Sequence, residues 1–283
     1  MCCQNVKFII TDSMKKFVIL LLVCMCAAML SAQENVKYRI SYRSTGILRS
    51  PGSKAKPVGW ILDIGDKSAA FYCPAQRLKT KALRENPNGG GLAAVYKVRD
   101  QYPNTENLQL LWNAPETGKY TYANKLMIKA FTYKEELPKI KWQLVDSTAT
   151  VCDYECQMAI GTVQGRTWKV YYTTDVPLSY GPWLLGGLPG LVLKAEDSEH
   201  LFSFEAIGVE NVDDGSNVQL FDTEKAIDCD RKKYVELRNM MNRNPQEFSN
   251  AIMGIKSQAI DEKGKPINYE ERLKGVTFNY LDK

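Results

Sequence analysis

Alternating apolar and polar residues dominate the first two-thirds of the chain. In "GWILDIG" the side chains of Trp60, Leu62 and Ile64 fall on one face, and "LFSFEAIGV" places Phe202 and Phe204 together in the same way. The stretches "YRISYR", "KIKWQL" and "RTWKVYYT" repeat this period of two, which is typical of strands rich in aromatic and β-branched residues. Turn-forming runs such as "NPNGGG" and "DDGSN" lie between them. The pattern predicts a large antiparallel sheet with one buried face.

Helical spacing appears late in the chain. Tyr234, Leu237 and Met241 recur at intervals of three and four residues, and Asn244 followed by Pro245 is typical of a new helix start. Two helices are therefore expected to follow the main sheet and pack on it, before a strand-like tail, "GVTFNYL". The predicted fold is one α+β, β-dominated domain with a large curved antiparallel sheet. A LolA-like half-barrel is one form that such a sheet takes.

The N-terminus carries the pattern of a secretory signal peptide. Two lysines after Met14 precede a mostly apolar run, Phe17 to Leu30, and a small residue before an expected cleavage after Ala32. This run is shorter than the roughly 20 apolar residues that span a bilayer, and no second run of that kind follows. The sequence thus predicts a leader over residues 1–32, with Met14 as the better start, and a single domain over residues 33–283 without a transmembrane span.

Charge and cysteine content narrow the classes of function. The net charge is +5, with 37 basic and 32 acidic residues, and no basic motif or known module predicts nucleic-acid binding. Four cysteines follow the leader: Cys73, Cys152, Cys156 and Cys229. An even count in an exported chain permits two disulfides, for example Cys152 with Cys156 and Cys73 with Cys229. Four reduced, buried thiols are an equally open alternative.

Catalytic and metal-binding motifs are sparse. The chain has one histidine, His200, so a histidine-rich zinc site is excluded and a nucleophile–histidine pair would have to use this residue. His200 lies beside a predicted turn, where an exposed histidine is the simpler interpretation. No catalytic residue, metal site or cofactor is predicted. Cys156 or an acidic pair stays open as the centre of an unrecognised hydrolase.

Residues 180–193, "YGPWLLGGLPGLVL", combine six glycines and prolines with apolar residues. No helix or Lys-Ser/Thr pair follows, which argues against a phosphate-binding loop. Leu188-Pro189-Gly190-Leu191 fits a type II turn with positive φ at Gly190. The run is therefore predicted to be a structural turn, with these residues: Gly181, Pro182, Trp183, Gly186, Gly187, Leu188, Pro189, Gly190 and Leu191.

This run, with "GRTWKVYYTTDVPLSY" before it and "AEDSEHLFSFEAIGV" after it, resembles the GLPGLI family (Porph_ging type) of exported Gram-negative proteins. Val192 stands where the family hexapeptide has Ile. The resemblance implies a place in the periplasm or at the outer membrane, with a TonB-dependent outer-membrane receptor as one expected partner. It implies no reaction and no catalytic residue.

Three functions are compatible with these observations. The first is a non-enzymatic envelope protein that binds a protein partner. The second is a LolA-like carrier of an apolar ligand or lipoprotein, and the third is the unrecognised hydrolase. The carrier would use an apolar face that is otherwise simply part of the core, made of Trp60, Trp142, Trp168, Phe202 and Phe204.

Overall fold

In the computed structural model the described part of the chain contains fourteen strands, and twelve of them form one sheet. The structure describes residues 34–50, 54–86, 90–114, 116–254 and 258–282, and the predicted leader lies outside them. From Glu34 onwards the chain is one compact unit. The strands are β1 Tyr38–Gly46, β2 Arg49–Ser50, β3 Lys56–Ile64, β4 Ala69–Tyr72, β5 Gln109–Trp112, β6 Lys119–Leu126, β7 Lys129–Glu136, β8 Gln143–Val151, β9 Tyr154–Val163, β10 Arg166–Thr173, β11 Leu191–Asp197, β12 Phe202–Asn211, β13 Ile227–Asp228 and β14 Thr277–Phe278.

The twelve-stranded sheet consists of two meanders joined through β1. On one side of β1 lie β3, β4, β5, β6 and β7 in sequence order, and on the other lie β12, β11, β10, β9 and β8. All neighbours pair antiparallel except β13, which pairs parallel to β7. The sheet runs from β13 to β8 and does not close, while β2 and β14 form a separate two-stranded sheet. The predicted large antiparallel sheet is confirmed.

One face of this sheet, the inner face, carries the main core. Trp60 and Leu62 on β3, Tyr42 on β1 and Phe204 on β12 are all buried there. Trp60 stacks on Phe71 of β4 with ring centroids 4.8 Å apart. The period-two interpretation of these stretches is therefore confirmed, because alternate side chains of a strand point to the same face.

Five helices complete the described residues: α1 Pro74–Glu85, α2 Gly90–Gln101, α3 Arg231–Arg243, α4 Pro245–Met253 and α5 Tyr269–Arg272. The late helices were predicted. The buried residues of α3 include Tyr234 and Leu237, and this helix contacts β6 and β7. The α1–α2 pair between β4 and β5 was missed. None of the described helices is long and apolar enough to cross a membrane.

Asn244 separates α3 from α4. Its backbone N–H donates to the carbonyl of Met240, 2.8 Å away, and ends α3. Its side chain accepts from the backbone N–H of Glu247 at 3.1 Å, which caps α4 with Pro245 in the first turn. The predicted helix start at Asn244 is confirmed.

The glycine-rich run 180–193 is mostly buried; residues 180–190 form no strand, and residues 191–193 are the start of β11. The predicted type II turn with positive φ at Gly190 is wrong, since positive φ occurs instead at Trp183 (54°) and Gly187 (85°). Gly190 is required for a different reason. A Cβ atom at this position would lie 2.0 Å from the carbonyl oxygen of Thr173.

Two other glycines of the run also make close approaches. A Cβ atom on Gly181 would lie 2.1 Å from the carbonyl oxygen of Leu185, and one on Gly186 would lie 2.7 Å from the Trp112 ring. The run therefore packs backbone directly against neighbouring backbone and rings. This packing is a structural role, and it differs from the turn geometry that the composition suggested.

The stretch "KIKWQL" does not follow its predicted pattern. Strand β8 begins only at Gln143, so Trp142 lies in the irregular segment before it. The Trp142 indole N–H donates to the carbonyl of Gly186 at 3.0 Å, and its ring covers Gly161 of β9. Alternation predicted that Trp142 lies in a strand. The hydrogen bond to Gly186 instead holds it against the glycine-rich run, one residue before β8 begins.

Candidate functional site

An open cleft of about 480 Å³ lies over the inner face of the sheet; we call it the aromatic cleft. Residues of β1, β3, β6, β7 and β12 line its floor. Its walls come from α3, the loop 103–108 and the C-terminal segment 279–282. The volume falls in the range of about 300–1,000 Å³ that is typical of small-molecule sites.

Aromatic rings cover much of the cleft floor. Trp60, Phe202 and Phe204 form one side, while Tyr122 and Tyr133 form the other, where their rings stack with centroids 4.5 Å apart. These side chains are almost fully buried, so only their ring faces and edges border the open space. These aromatic residues stand at alternate positions of β3, β6, β7 and β12, so their side chains point to the inner face of the sheet.

Phenol and amide groups add hydrogen-bonding capacity at the β6 side. Asn124 donates to the hydroxyl of Tyr122 at 3.2 Å and to that of Tyr234 at 3.0 Å, and the two hydroxyls are 3.3 Å apart. Burial raises the pKa of Tyr122, so its hydroxyl stays protonated at neutral pH. The network therefore keeps neutral donors and acceptors beside the ring faces.

The wall opposite the sheet carries paired charges. Asp282 accepts from Arg238 at 2.8 Å and from Arg231 at 3.0 Å. Burial alone would raise the pKa of Asp282, but the hydrogen bond and charge of Arg238 outweigh it and hold that pKa below its usual value. The Arg238 guanidinium also lies 3.6 Å from the centre of the Tyr280 ring.

Glu106 is a further acidic residue of the cleft lining and was not singled out by the sequence. It lies in the loop before β5 and is half-buried. Among the described residues, no side chain donates to its carboxylate or forms an ion pair with it. Burial raises the pKa of this carboxyl group. Its short sequence context, "NTENLQ", offers no signal that would have identified it.

The predicted apolar face is only partly assembled at this site. Trp60, Phe202 and Phe204 line the cleft. Trp168 is fully buried beneath it, with its ring centre 6.0 Å from that of Phe204, and belongs to the core. Trp142 lies outside the lining, against the glycine-rich run.

The four cysteines of the described region, Cys73, Cys152, Cys156 and Cys229, are free thiols in the structure. Their pairing therefore stays a prediction. Burial raises the pKa of Cys156 to about 11, which leaves little of the reactive thiolate at neutral pH. His200 is exposed in a turn and hydrogen-bonds Glu196 at 2.6 Å, so neither residue supports the Cys156–His200 hydrolase.

A protein-family model described as "N-glycanase peptide, N-terminal domain", of the PNGase F-II type, matches residues 101–236. This span contains β5 to β13 and the first residues of α3. More than half of the residues that line the aromatic cleft fall inside it. No curated protein matches the chain.

Solved structures of PNGF-II in the C2 and P21 space groups are similar to this chain, with TM-scores of 0.48 and 0.46 and sequence identities of 17% and 16%. Each match covers 71% of this chain but 32% of PNGF-II, so the chain spans about a third of that protein's length. A LolA-superfamily protein from Nitrosomonas europaea matches with a TM-score of 0.26 and 6% identity over 63% of this chain and 87% of that one.

These comparisons correct two expectations. The GLPGLI resemblance was wrong as a family assignment, because the run 180–193 that carried it lies within the 101–236 span of the N-glycanase model. The expected non-enzymatic envelope protein was also wrong, because the matching family is described as part of a glycan-cleaving enzyme. The outer-membrane receptor partner rested on the same resemblance.

Proposed function

We propose that this chain takes part in the processing of N-linked glycans and that the aromatic cleft binds the glycan-bearing part of its substrate. The observation that carries the proposal is the N-glycanase family match over residues 101–236, which supplies the rings of Tyr122, Tyr133 and Phe204 in the cleft. The activity of the much longer PNGF-II is not assumed for this chain alone.

The chemistry of the cleft suits a sugar. Flat ring faces pack against the C–H faces of pyranose rings, and neutral polar groups at the edge exchange hydrogen bonds with hydroxyl and amide groups. Tyr122 and Asn124 provide such groups next to the stacked rings. Arg238 and Arg231 both pair with Asp282, and Glu135 lies 3.9 Å from Arg231, so two acidic residues offset the two arginines of the far wall.

The predicted leader over residues 1–32 indicates where in the cell this function would take place. A chain exported through residues 1–32 meets glycopeptides and glycoproteins outside the cytoplasm, where such substrates are found. Export to the periplasm or to the outer membrane is part of the proposal. A TonB-dependent receptor is not, because the resemblance that implied it has been corrected.

Calorimetric titration tests the proposal with two ligands: a peptide that carries an N-linked chitobiose core, and the same peptide without the glycan. We expect the chain to bind the glycopeptide and not the bare peptide. Mass spectrometry of the same samples reports whether the chain alone releases the glycan. Equal binding of the two peptides, or no binding of either, would overturn the proposal.

A matched pair of variants ties binding to the cleft. Tyr122→Phe removes a hydroxyl at the cleft and is expected to weaken glycopeptide binding by up to about tenfold, the equivalent of one net hydrogen bond. Tyr172→Phe removes a buried hydroxyl that donates to Gln157 at 2.8 Å, outside the cleft lining, and should leave affinity unchanged. Equal affinities in the two variants would place binding elsewhere.

A further inference from the structure

The α1–α2 pair carries large apolar side chains on its surface. Leu92 of α2 is 58% exposed and Tyr96 is 53% exposed, and Leu83 near the end of α1 is exposed as well. Because Leu92 and Tyr96 are four residues apart, their side chains lie on one face of the helix. A surface helix ordinarily turns such a stripe towards the core and presents polar residues to solvent. This face of α2 therefore departs from the usual arrangement.

Another face of α2 already contacts the core. Val98 is half-buried and packs against the main core. Leu92 and Tyr96 are thus a second apolar stripe, which the fold itself does not bury. Leu83 lies beside this stripe, because the two helices meet closely at Gly91: a Cβ atom there would be 3.2 Å from the Cα atom of Leu83. The exposed apolar surface consequently extends over both helices.

Basic residues dominate the same two helices. Six lysines and arginines stand against two acidic residues in α1 and α2, so the pair carries a net charge of +4. The whole chain carries +5, so the pair holds most of the positive excess. Asp222 and Glu224, in the loop before β13, form ion pairs with Arg84 and neutralise the end of α1. The positive charge that remains is therefore concentrated on the rest of the pair.

The apolar stripe and the positive charge meet on α2. Lys97 follows Tyr96 and is exposed, and the Arg99 guanidinium lies 4.8 Å from the centre of the Tyr96 ring. Asp100, 3.8 Å from Arg99, is the one acidic residue of this helix. Tyrosine rings and the apolar stems of lysine and arginine suit the boundary between lipid headgroups and acyl chains. Helices with leucine and aromatic residues among basic ones are typical of proteins that lie in a membrane interface.

We propose that the docking face, formed by Leu83, Leu92, Tyr96, Lys97 and Arg99, holds the chain on the surface of a membrane that contains anionic phospholipid. The apolar side chains enter the headgroup region, and the basic side chains pair with lipid phosphates. The charge of the helix pair favours anionic headgroups over neutral ones. The predicted leader would bring the chain to the membranes of the cell envelope. This inference does not depend on glycan binding in the aromatic cleft.

Vesicle flotation of the purified chain tests the proposal. The probes are vesicles of phosphatidylcholine alone and vesicles of phosphatidylcholine and phosphatidylglycerol in a ratio of about two to one. We expect the chain to float with the mixed vesicles and not with the neutral ones. Raising the salt concentration from about 0.1 to 0.5 M should weaken binding, because the salt screens the lysine and arginine charges.

Two double variants remove the two components of the docking face. Leu92→Gln with Tyr96→Gln removes apolar surface, and Lys97→Gln with Arg99→Gln removes two positive charges. Each should lower the partition coefficient for mixed vesicles by about tenfold or more. All four positions are exposed, so the fold should persist, and melting temperatures check this. The two variants act on different side chains, so either one alone tests the docking face.

Matched controls make the same chemical changes elsewhere. Leu144→Gln with Ile207→Gln alters exposed apolar residues of β8 and β12, and Lys263→Gln with Lys265→Gln removes two exposed charges before α5. Both controls should bind as the wild type does. The proposal is wrong if the wild type does not bind the mixed vesicles, which would leave an acidic protein surface as the partner of this face. It is equally wrong if neutral vesicles bind as well as the mixed ones, or if the α2 variants bind no more weakly than the controls.

Discussion

Replacing Gly190 with alanine tests whether close backbone approach, rather than turn geometry, requires glycine before β11. A Cβ atom at Gly190 would lie 2.0 Å from the carbonyl oxygen and 2.7 Å from the carbonyl carbon of Thr173. Favourable contacts between such atoms need about 3.5–4.0 Å. The added methyl group must therefore push β11 away from the end of β10, where Leu191 pairs with Thr173.

The expected loss follows from what must move. Inserting a methyl group into a packed core costs about 1–3 kcal/mol when side chains adjust around it. Here the obstacle is main chain, and moving it also strains the hydrogen bond from the Leu191 N–H to the carbonyl of Val176, 3.1 Å long. We expect about 3 kcal/mol. For a domain of this size that lowers the melting temperature by about 6–12 °C.

Two matched glycine variants separate the possible causes. Gly59→Ala places a methyl group on β3 with no atom within 4 Å, and should change the melting temperature by no more than a few degrees, in the stabilising direction. Gly187→Ala has the same open space but a φ of 85°, and should lose about 1–2 kcal/mol from the dihedral alone.

Thermal unfolding followed by circular dichroism compares the three variants under one buffer condition. The expected order of melting temperatures is Gly59→Ala, Gly187→Ala and then Gly190→Ala as the lowest. If Gly190→Ala melts with Gly59→Ala, the close approach is not what selects glycine at this position. If the melting temperature of Gly187→Ala is lower than that of Gly190→Ala, the positive φ at Gly187 constrains the run more than the close contact at Gly190 does.

The other predictions concern an ion pair, a helix cap and the cleft carboxyl group. Asp197→Ala removes the buried carboxylate that pairs with Arg166, which keeps only the part-exposed Glu199 and the Tyr280 carbonyl, and should destabilise the fold by about 3 kcal/mol, whereas Glu205→Ala, at an exposed cross-strand pair, should cost no more than about 1 kcal/mol. Urea unfolding measures both, and equal midpoints would contradict the prediction. Asn244→Ala should lose about 1 kcal/mol in the same assay, because it removes the cap of α4; an unchanged midpoint would argue against that cap. Burial raises the folded-state pKa of Glu106, so wild-type stability should fall as the pH rises past the unfolded value near 4.3. Glu106→Gln should not share this loss, so the melting temperature of the variant minus that of the wild type should increase from acid to neutral pH. If that difference is the same at every pH, the prediction is wrong.

The sheet could be predicted because its signal is local. The long strands β1, β3, β10 and β12 repeat their apolar residues at every second position, and Trp60 and Leu62 of β3 show this pattern without any knowledge of their neighbours. The α1–α2 pair was missed although its sequence shows helical spacing, for example Leu92, Val95 and Tyr96 of α2. The buried residue of α1 is Ala75, and Leu92 and Tyr96 are exposed, so this pair packs little apolar surface on the core.

The cleft could not be predicted, because it is assembled from distant parts of the chain. Its lining extends from Ser44 on β1 to Asp282 near the C-terminus, and strand alternation does not say which strands become neighbours. Trp60, Phe202 and Phe204 were identified, whereas Tyr122 and Tyr133 were not, because core and cleft residues carry the same pattern. Glu106 was missed, because an acidic residue in a polar loop becomes unusual only when burial and the lack of a partner are known.

The polar wall explains why the inner face stays open at this end of the sheet. Tyr234 and Leu237 pack α3 onto β6 and β7, whereas Arg231 and Arg238 of the same helix face Asp282. The helix thus approaches the sheet through its apolar residues, while Arg238 packs on the Tyr280 ring and, with Arg231, is paired with Asp282. This ion network occupies the cleft wall where apolar side chains would otherwise fill the space over the sheet.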